Sequence, residues 1–222
     1  MQKQFFTTYN PYFLVPLAVW YICGGFLFLL YTPQQLFSIV NTHYTAIGDV
    51  VMYYITWLGE GLTITFTLLA LLVIKKFRNW WYLLAALLCV GLPALICQFI
   101  KQWHNLPRPY NYFHKASWIH ISPYWGDVLM NNSFPSGHTT GAFSIFCFLS
   151  MLLPGKYRVY GLLFFLLALS VGYSRIYLAA HFFTDVYAGS ILGAVTSLIM
   201  FALLKRYQPK VIANNDSNHN SE

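Results

Sequence analysis

The sequence predicts an all-α fold: a polytopic membrane bundle of six transmembrane helices with both termini in the cytoplasm. Three observations carry that expectation. Charged residues make up 9% of the 222 residues, against about 25% in a soluble globular protein. Hydrophobic residues make up 58% and mean hydropathy is +0.53. Six apolar stretches reach or approach the ~20 residues that a bilayer-spanning helix needs. Together these exclude a disordered chain, a collagen-like repeat and an ordinary cytosolic enzyme.

Each stretch has its own justification. Residues 11–31 form the first, too long for a signal-peptide core and without a small-x-small cleavage site, so it stays as a helix. Residues 51–74 and 81–100 give the second and third. The fourth, 139–154, is short for a span, so its start reaches back toward His138. The fifth and sixth are 159–176 and 182–204, and Gly189 and Gly193 in the last form a GxxxG suited to close helix packing. Between the third and fourth, residues 101–137 carry Trp103, Tyr110, Tyr112, Phe113, Trp118, Tyr124 and Trp125. Such side chains favour the headgroup level, which lays this segment along the outer surface. Trp80 and Trp81 read as further interface anchors. Residues 1–209 are expected to form one membrane domain, and 210–222 a disordered polar tail.

Charge fixes the orientation. Lys3, Lys75, Lys76, Arg78, Lys156, Arg158, Lys205, Arg206 and Lys210, nine of the 13 basic residues, fall in the segments that this helix count puts inside. The net charge of +7 forms no continuous basic stripe, so no nucleic-acid partner is expected. The four cysteines lie inside apolar runs and form no CxxC pair. They read as core residues.

The remaining polar residues gather in three clusters, all on the predicted outer side. Lys101 and Arg108-Pro109 leave the third helix, Pro135-Ser136-Gly137-His138 enter the fourth, and Ser174-Arg175, His181 and Asp185 lie between the fifth and sixth. Lys101, Arg108 and Arg175 form a cationic group with almost no acidic counterweight, and such a group wants an anion. Pro135-Ser136-Gly137 is a turn into a helix whose first N–H groups favour an anion. His181 and Asp185 are four apart and share a helix face if the sixth helix begins near His181. A carboxylate can hold one imidazole nitrogen and leave the other free to attack. His138 suits general-acid work. The set describes phosphoryl transfer to and from a histidine.

With these residues the sequence resembles the type 2 phosphatidic acid phosphatases, which share a site with vanadium haloperoxidases and bacterial class A acid phosphatases. The family signature reads Lys-x6-Arg-Pro, Pro-Ser-Gly-His and Ser-Arg-x5-His-x3-Asp, and order and spacing match at every position. The resemblance implies His181 as the nucleophile, Asp185 orienting it, and His138 as the acid. It implies Lys101, Arg108, Ser136, Gly137 and Arg175 as holders of the phosphate oxygens. It implies a lipid phosphate or diphosphate substrate at the outer face of a cell membrane: phosphatidylglycerophosphate, undecaprenyl diphosphate, a lipid A phosphate or phosphatidate.

The acids number six: Asp49, Glu60, Asp127, Asp185, Asp216 and Glu222. That is too few convergent carboxylates for a two-metal site, so no metal and no cofactor is expected. Glu60, between Gly59 and Gly61, reads as an interhelical hydrogen bond or a residue near the outer rim, with a proton relay as the alternative. His43, His104, His114 and His120 read as loop residues. Against the phosphatase stand a transporter or channel with an anion site, and a haloperoxidase binding vanadate. Charges confined to one face argue against the first, and the membrane bundle against the second. Oligomeric state is not legible.

Overall fold

The structure is a computed structural model that describes residues 9–126 and 129–208. The expected tail at 210–222 lies outside the described residues. All regular structure among the described residues is helical: α1 (Pro11–Leu30), α2 (Pro33–Asn41), α3 (Ala46–Thr56), α4 (Gly61–Leu71), α5 (Trp80–Ala86), α6 (Leu92–His104), α7 (Gly137–Leu152), α8 (Tyr160–Tyr177) and α9 (Phe183–Lys205), with one α-helical turn at Pro109–Tyr112 and short 3-10 and π segments between some of them. Four helical runs among them are long and apolar enough to cross a membrane, or five if α3 and α4 count as one bent span. Large apolar side chains point outward, among them Val15, Ile22 and Leu29 on α1. That is the pattern of a bundle whose solvent is lipid.

The helix expected as the fourth span lies at the centre. At 16 residues, α7 is about 24 Å long, short of the ~30 Å hydrocarbon core. Residues 139–148 along it are all buried. Small residues let its neighbours close in. A Cβ on Gly189 would lie 2.7 Å from the Ser136 carbonyl oxygen, and one on Gly193 would meet the Thr140 carbonyl oxygen. The GxxxG of α9 is therefore where α9 presses on α7. The hydroxyls buried between them are satisfied locally: Thr140 Oγ1 donates to the Ser136 carbonyl and Ser144 Oγ to that of Gly141, both at 2.8 Å.

Two expected spans differ in detail. The stretch 51–74 is not one helix. It starts earlier, at Ala46, passes through a 3-10 turn at Trp57–Gly59, and resumes as α4 after a 53° bend. Glu60 sits at the break in extended geometry (φ −73°, ψ 139°). Gly59 permits the break to touch α7, since a Cβ there would lie 2.5 Å from the His138 carbonyl oxygen. The third stretch carries a π segment at Leu87–Gly91, where Pro93 has no N–H to continue the ladder. Trp81 is not an interface anchor. It is 2% exposed, packs on Phe201 and donates from Nε1 to the Leu204 carbonyl at 3.2 Å. Trp80 is exposed.

The aromatic segment after α6 folds over one end of the bundle. Phe113 stacks on Phe37 of α2 and packs on Trp118, and Phe37 meets Phe182 at the start of α9. Asn41 clamps the segment from below. Its side chain donates to the His120 and Tyr177 carbonyls and accepts from the His120 N–H. His120 is more than a loop residue: it pairs with Asp49 at 2.7 Å and lies flat on the Tyr44 ring. At the other end of the bundle, Asn10 donates to the Ser150 and Arg158 carbonyls.

Candidate active site

The three clusters meet at one cavity of about 620 Å³, beneath the aromatic segment and against the first turn of α7. Lys101, Arg108, Gly137, His138, Arg175 and His181 line it. Ser136 and Asp185 do not; they stand directly behind it.

Each cation is held by carbonyl or hydroxyl oxygens. Lys101, in the last turn of α6, donates from Nζ to the Asn132 carbonyl at 2.7 Å. Arg108 donates from Nε to the Asn131 carbonyl and from Nη1 to that of Ala180. Arg175, in the last turn of α8, donates from Nη1 to Thr56 Oγ1 at 2.7 Å. Trp125 lies over its guanidinium, 4.6 Å from ring centroid to Cζ, a cation–π contact. Arg175 Nε is buried with no hydrogen-bond partner among the described residues. An orphaned charged donor is costly to keep, and an anion in the cavity would satisfy it.

The turn from α8 to α9 delivers the histidine. Ala179 takes a left-handed conformation (φ 54°), a strain of roughly 1–2 kcal/mol for a residue with a Cβ. The turn presents the Ala180 carbonyl to Arg108 and seats His181, 1% exposed, against the cavity wall. His181 Nδ1 lies 3.4 Å from Asp185 Oδ2 and 3.5 Å from Ser133 Oγ. Asp185 is itself fixed at Oδ2, which accepts from Ser133 Oγ at 2.5 Å and from the Phe182 N–H at 2.9 Å. With Nδ1 turned to the carboxylate, Nε2 is the nitrogen left for chemistry. Burial, with the charges of Arg108, Arg175 and Lys101, holds the His181 imidazole well below its usual pKa. The ring is neutral at pH 7 and its lone pair is available.

Ser136 caps α7. Its Oγ accepts from Thr139 Oγ1 at 2.8 Å and from the Thr139 N–H at 3.4 Å. Its own N–H donates to the Asp185 carbonyl at 2.9 Å, which ties the first turn of α7 to α9. Gly137 and His138 are the first two residues of the helix, where N–H groups have no intrahelical acceptor. His138 Nε2 meets Glu60 Oε2 at 2.8 Å, and Glu60 also lines the cavity.

Sequence reasoning missed three contributors: Thr56, Trp125 and Ser133. Glu60 carried a signal in its flanking glycines, and the interhelical hydrogen bond expected of it is made to His138 of α7. Thr56 and Trp125 carried none. Ser133 stands three residues before Ser136, outside the three clusters.

A sequence profile of the PAP2 superfamily matches residues 81–209. Among curated relatives, phosphatidylglycerophosphatase B of Bacillus subtilis is 34% identical over 143 residues, covering 61% of this chain and 62% of that protein. Lipid A 1-phosphatase of Rhizobium johnstonii is 27% identical over 187 residues, covering 82% and 64%. The chain thus spans less than two thirds of the length of both relatives. The crystal structure of Aquifex aeolicus LpxE superposes with a TM-score of 0.64 at 27% identity, over 76% of this chain and 93% of that one. That of a transmembrane PAP2-type phosphatidylglycerolphosphate phosphatase from Bacillus subtilis superposes with 0.66 at 23%, over 89% and 98%, a likeness of fold.

Proposed function

The chain belongs to the PAP2 superfamily, and on that premise we propose that it is an integral-membrane lipid phosphatase working through a phosphohistidine. The observation that carries this reading is the cavity itself. Three buried cations, one with an unsatisfied donor, face a neutral histidine across a space that Trp57, Leu62 and Leu129 line with apolar surface. A lipid phosphate has both halves of that chemistry.

In this mechanism Lys101, Arg108, Arg175 and the Gly137 N–H hold the phosphate oxygens, and Ser136, behind them, shapes the phosphate site by capping α7. His181 Nε2 attacks phosphorus as the bond to the lipid oxygen breaks. His138 gives that oxygen a proton, and the dephosphorylated lipid leaves. His138 then takes a proton from water, which attacks the phosphohistidine. Inorganic phosphate leaves and His181 returns to its neutral form. The three cations stabilise the charge that builds on the equatorial oxygens, the task a metal performs in other phosphatases. This enzyme is metal-independent.

With α7 counted as a short span beside the five candidate spans, the chain crosses six times, its site facing outward, both termini inside and the domain running over residues 1–209. Support comes from the opposite end of the bundle, where Lys76, Arg158 and Lys205 line one hollow beside the C-terminus of α7. The positive-inside rule gives that end to the cytoplasm. Candidate substrates are phosphatidylglycerophosphate, undecaprenyl diphosphate, a lipid A phosphate and phosphatidate. The test is phosphate release from each of these four by the purified protein and by His181→Ala. The expected result is release from at least one substrate by the wild type and none by the variant. Undiminished release by His181→Ala would overturn the mechanism.

A further inference from the structure

We propose that Glu60 is a positioning residue for His138, so that the site contains two carboxylate–imidazole pairs rather than one. A carboxylate only accepts, so the 2.8 Å contact makes His138 Nε2 the donor. Nδ1 is then the nitrogen left for the reaction. Its proton passes to the departing lipid oxygen, and Nδ1 later takes a proton from the attacking water. The Nε2 proton stays on Glu60's side throughout, and the carboxylate balances the imidazolium each time it forms.

Three features place Glu60 there for that purpose. The break in the second span exists at this residue: a helix continuous through Glu60 would not hold the extended geometry that turns it toward α7. Gly59 lets the break sit against the His138 backbone, where any Cβ would collide. The turn before the same break holds Arg175 through Thr56, so one kinked element fixes groups from two different clusters. The charge also argues for a role. A carboxylate in the wall of a phosphate site repels the substrate, and an inert hydrogen bond needs no charge. Glu60 opposes binding unless it contributes to the chemistry of the histidine it touches.

The inference rests on the phosphatase reading, and the leaving group separates the two. Proton donation matters for a lipid alkoxide and little for an aryl phosphate such as p-nitrophenyl phosphate, whose leaving oxygen is already acidic. Removing a general acid altogether costs about 10²–10⁴-fold. Glu60→Ala should lower kcat/KM for the lipid phosphate about 10- to 100-fold and that for the aryl phosphate less than about threefold, with Glu60→Gln between wild type and Ala. In a His138→Ala background, Glu60→Ala should cost nothing further. Equal losses on both substrates, or a full additional loss in that background, would overturn the role and leave the phosphatase standing. If the wild type releases no His181-dependent phosphate from either substrate, both readings fall.

Discussion

Gly189 offers the sharpest test of how packing places the chemistry. It touches no substrate group, yet its missing Cβ lets α9 rest on the N-terminus of α7. An alanine there would put a methyl 2.7 Å from the Ser136 carbonyl oxygen and 3.3 Å from Thr139 Cβ. Thr140 Oγ1, at 3.2 Å, could rotate away, but the nearest obstacle is the Ser136 backbone and cannot swing aside. Ordinary contact begins near 3.4 Å, so the helices must part by about 0.7 Å, and overpacking of this kind costs roughly 1–3 kcal/mol. The displaced turn carries Ser136, Gly137 and His138 and is tied to Asp185 through the Ser136 N–H. A misplacement of about 1 Å can cost 10²-fold in rate. Gly189→Ala should therefore lower kcat by about 10- to 100-fold while the protein still folds, with a reduced melting temperature. Gly61→Ala is the control, because a Cβ there meets nothing within 4 Å, and it should keep wild-type activity. Phosphate release and thermal unfolding in detergent read both quantities. Wild-type rate and melting temperature in Gly189→Ala would refute the packing argument.

Two further outcomes follow from the site and its sidedness. Activity should survive EDTA, and vanadate should inhibit, because a five-coordinate oxyanion resembles the phosphoryl transition state; complete loss in EDTA with recovery on added magnesium would sink the cation-only mechanism. In a Cys23→Ser background, a membrane-impermeant thiol reagent on intact cells should label Cys at Ser117, in the segment between α6 and α7, and spare Cys at Lys75 until the membrane is opened, and the reverse pattern would turn the site inward.

Much of the candidate site was legible in one dimension because each of its parts is a short run with its own fixed spacing. His181 and Asp185 are one helical turn apart, Lys101 and Arg108 flank one helix end, and Ser136, Gly137 and His138 start another. Local geometry sets such relations, so residue order reports them. The apolar runs were legible for a similar reason, since lipid demands length and low charge. Burial was not. Trp81 looked like an interface anchor because composition cannot tell a tryptophan facing lipid from one facing Phe201 and the Leu204 carbonyl.

Composition and local spacing were enough for the helical membrane class and for the three clusters. Which distant segments complete those clusters emerged from the packing. The shortness of α7 was visible, but not that it is the helix around which the others pack. Glu60 was visible as a rare acid between glycines, but not as the partner of His138. Thr56 on Arg175, Trp125 above it and Ser133 on Asp185 had no sequence signal at all. Each of these contacts joins side chains from segments far apart in the chain, and no local periodicity links them. Their meeting depends on a 53° break in one span and on glycines that let backbones touch, which are properties of packed helices rather than of any one stretch of chain.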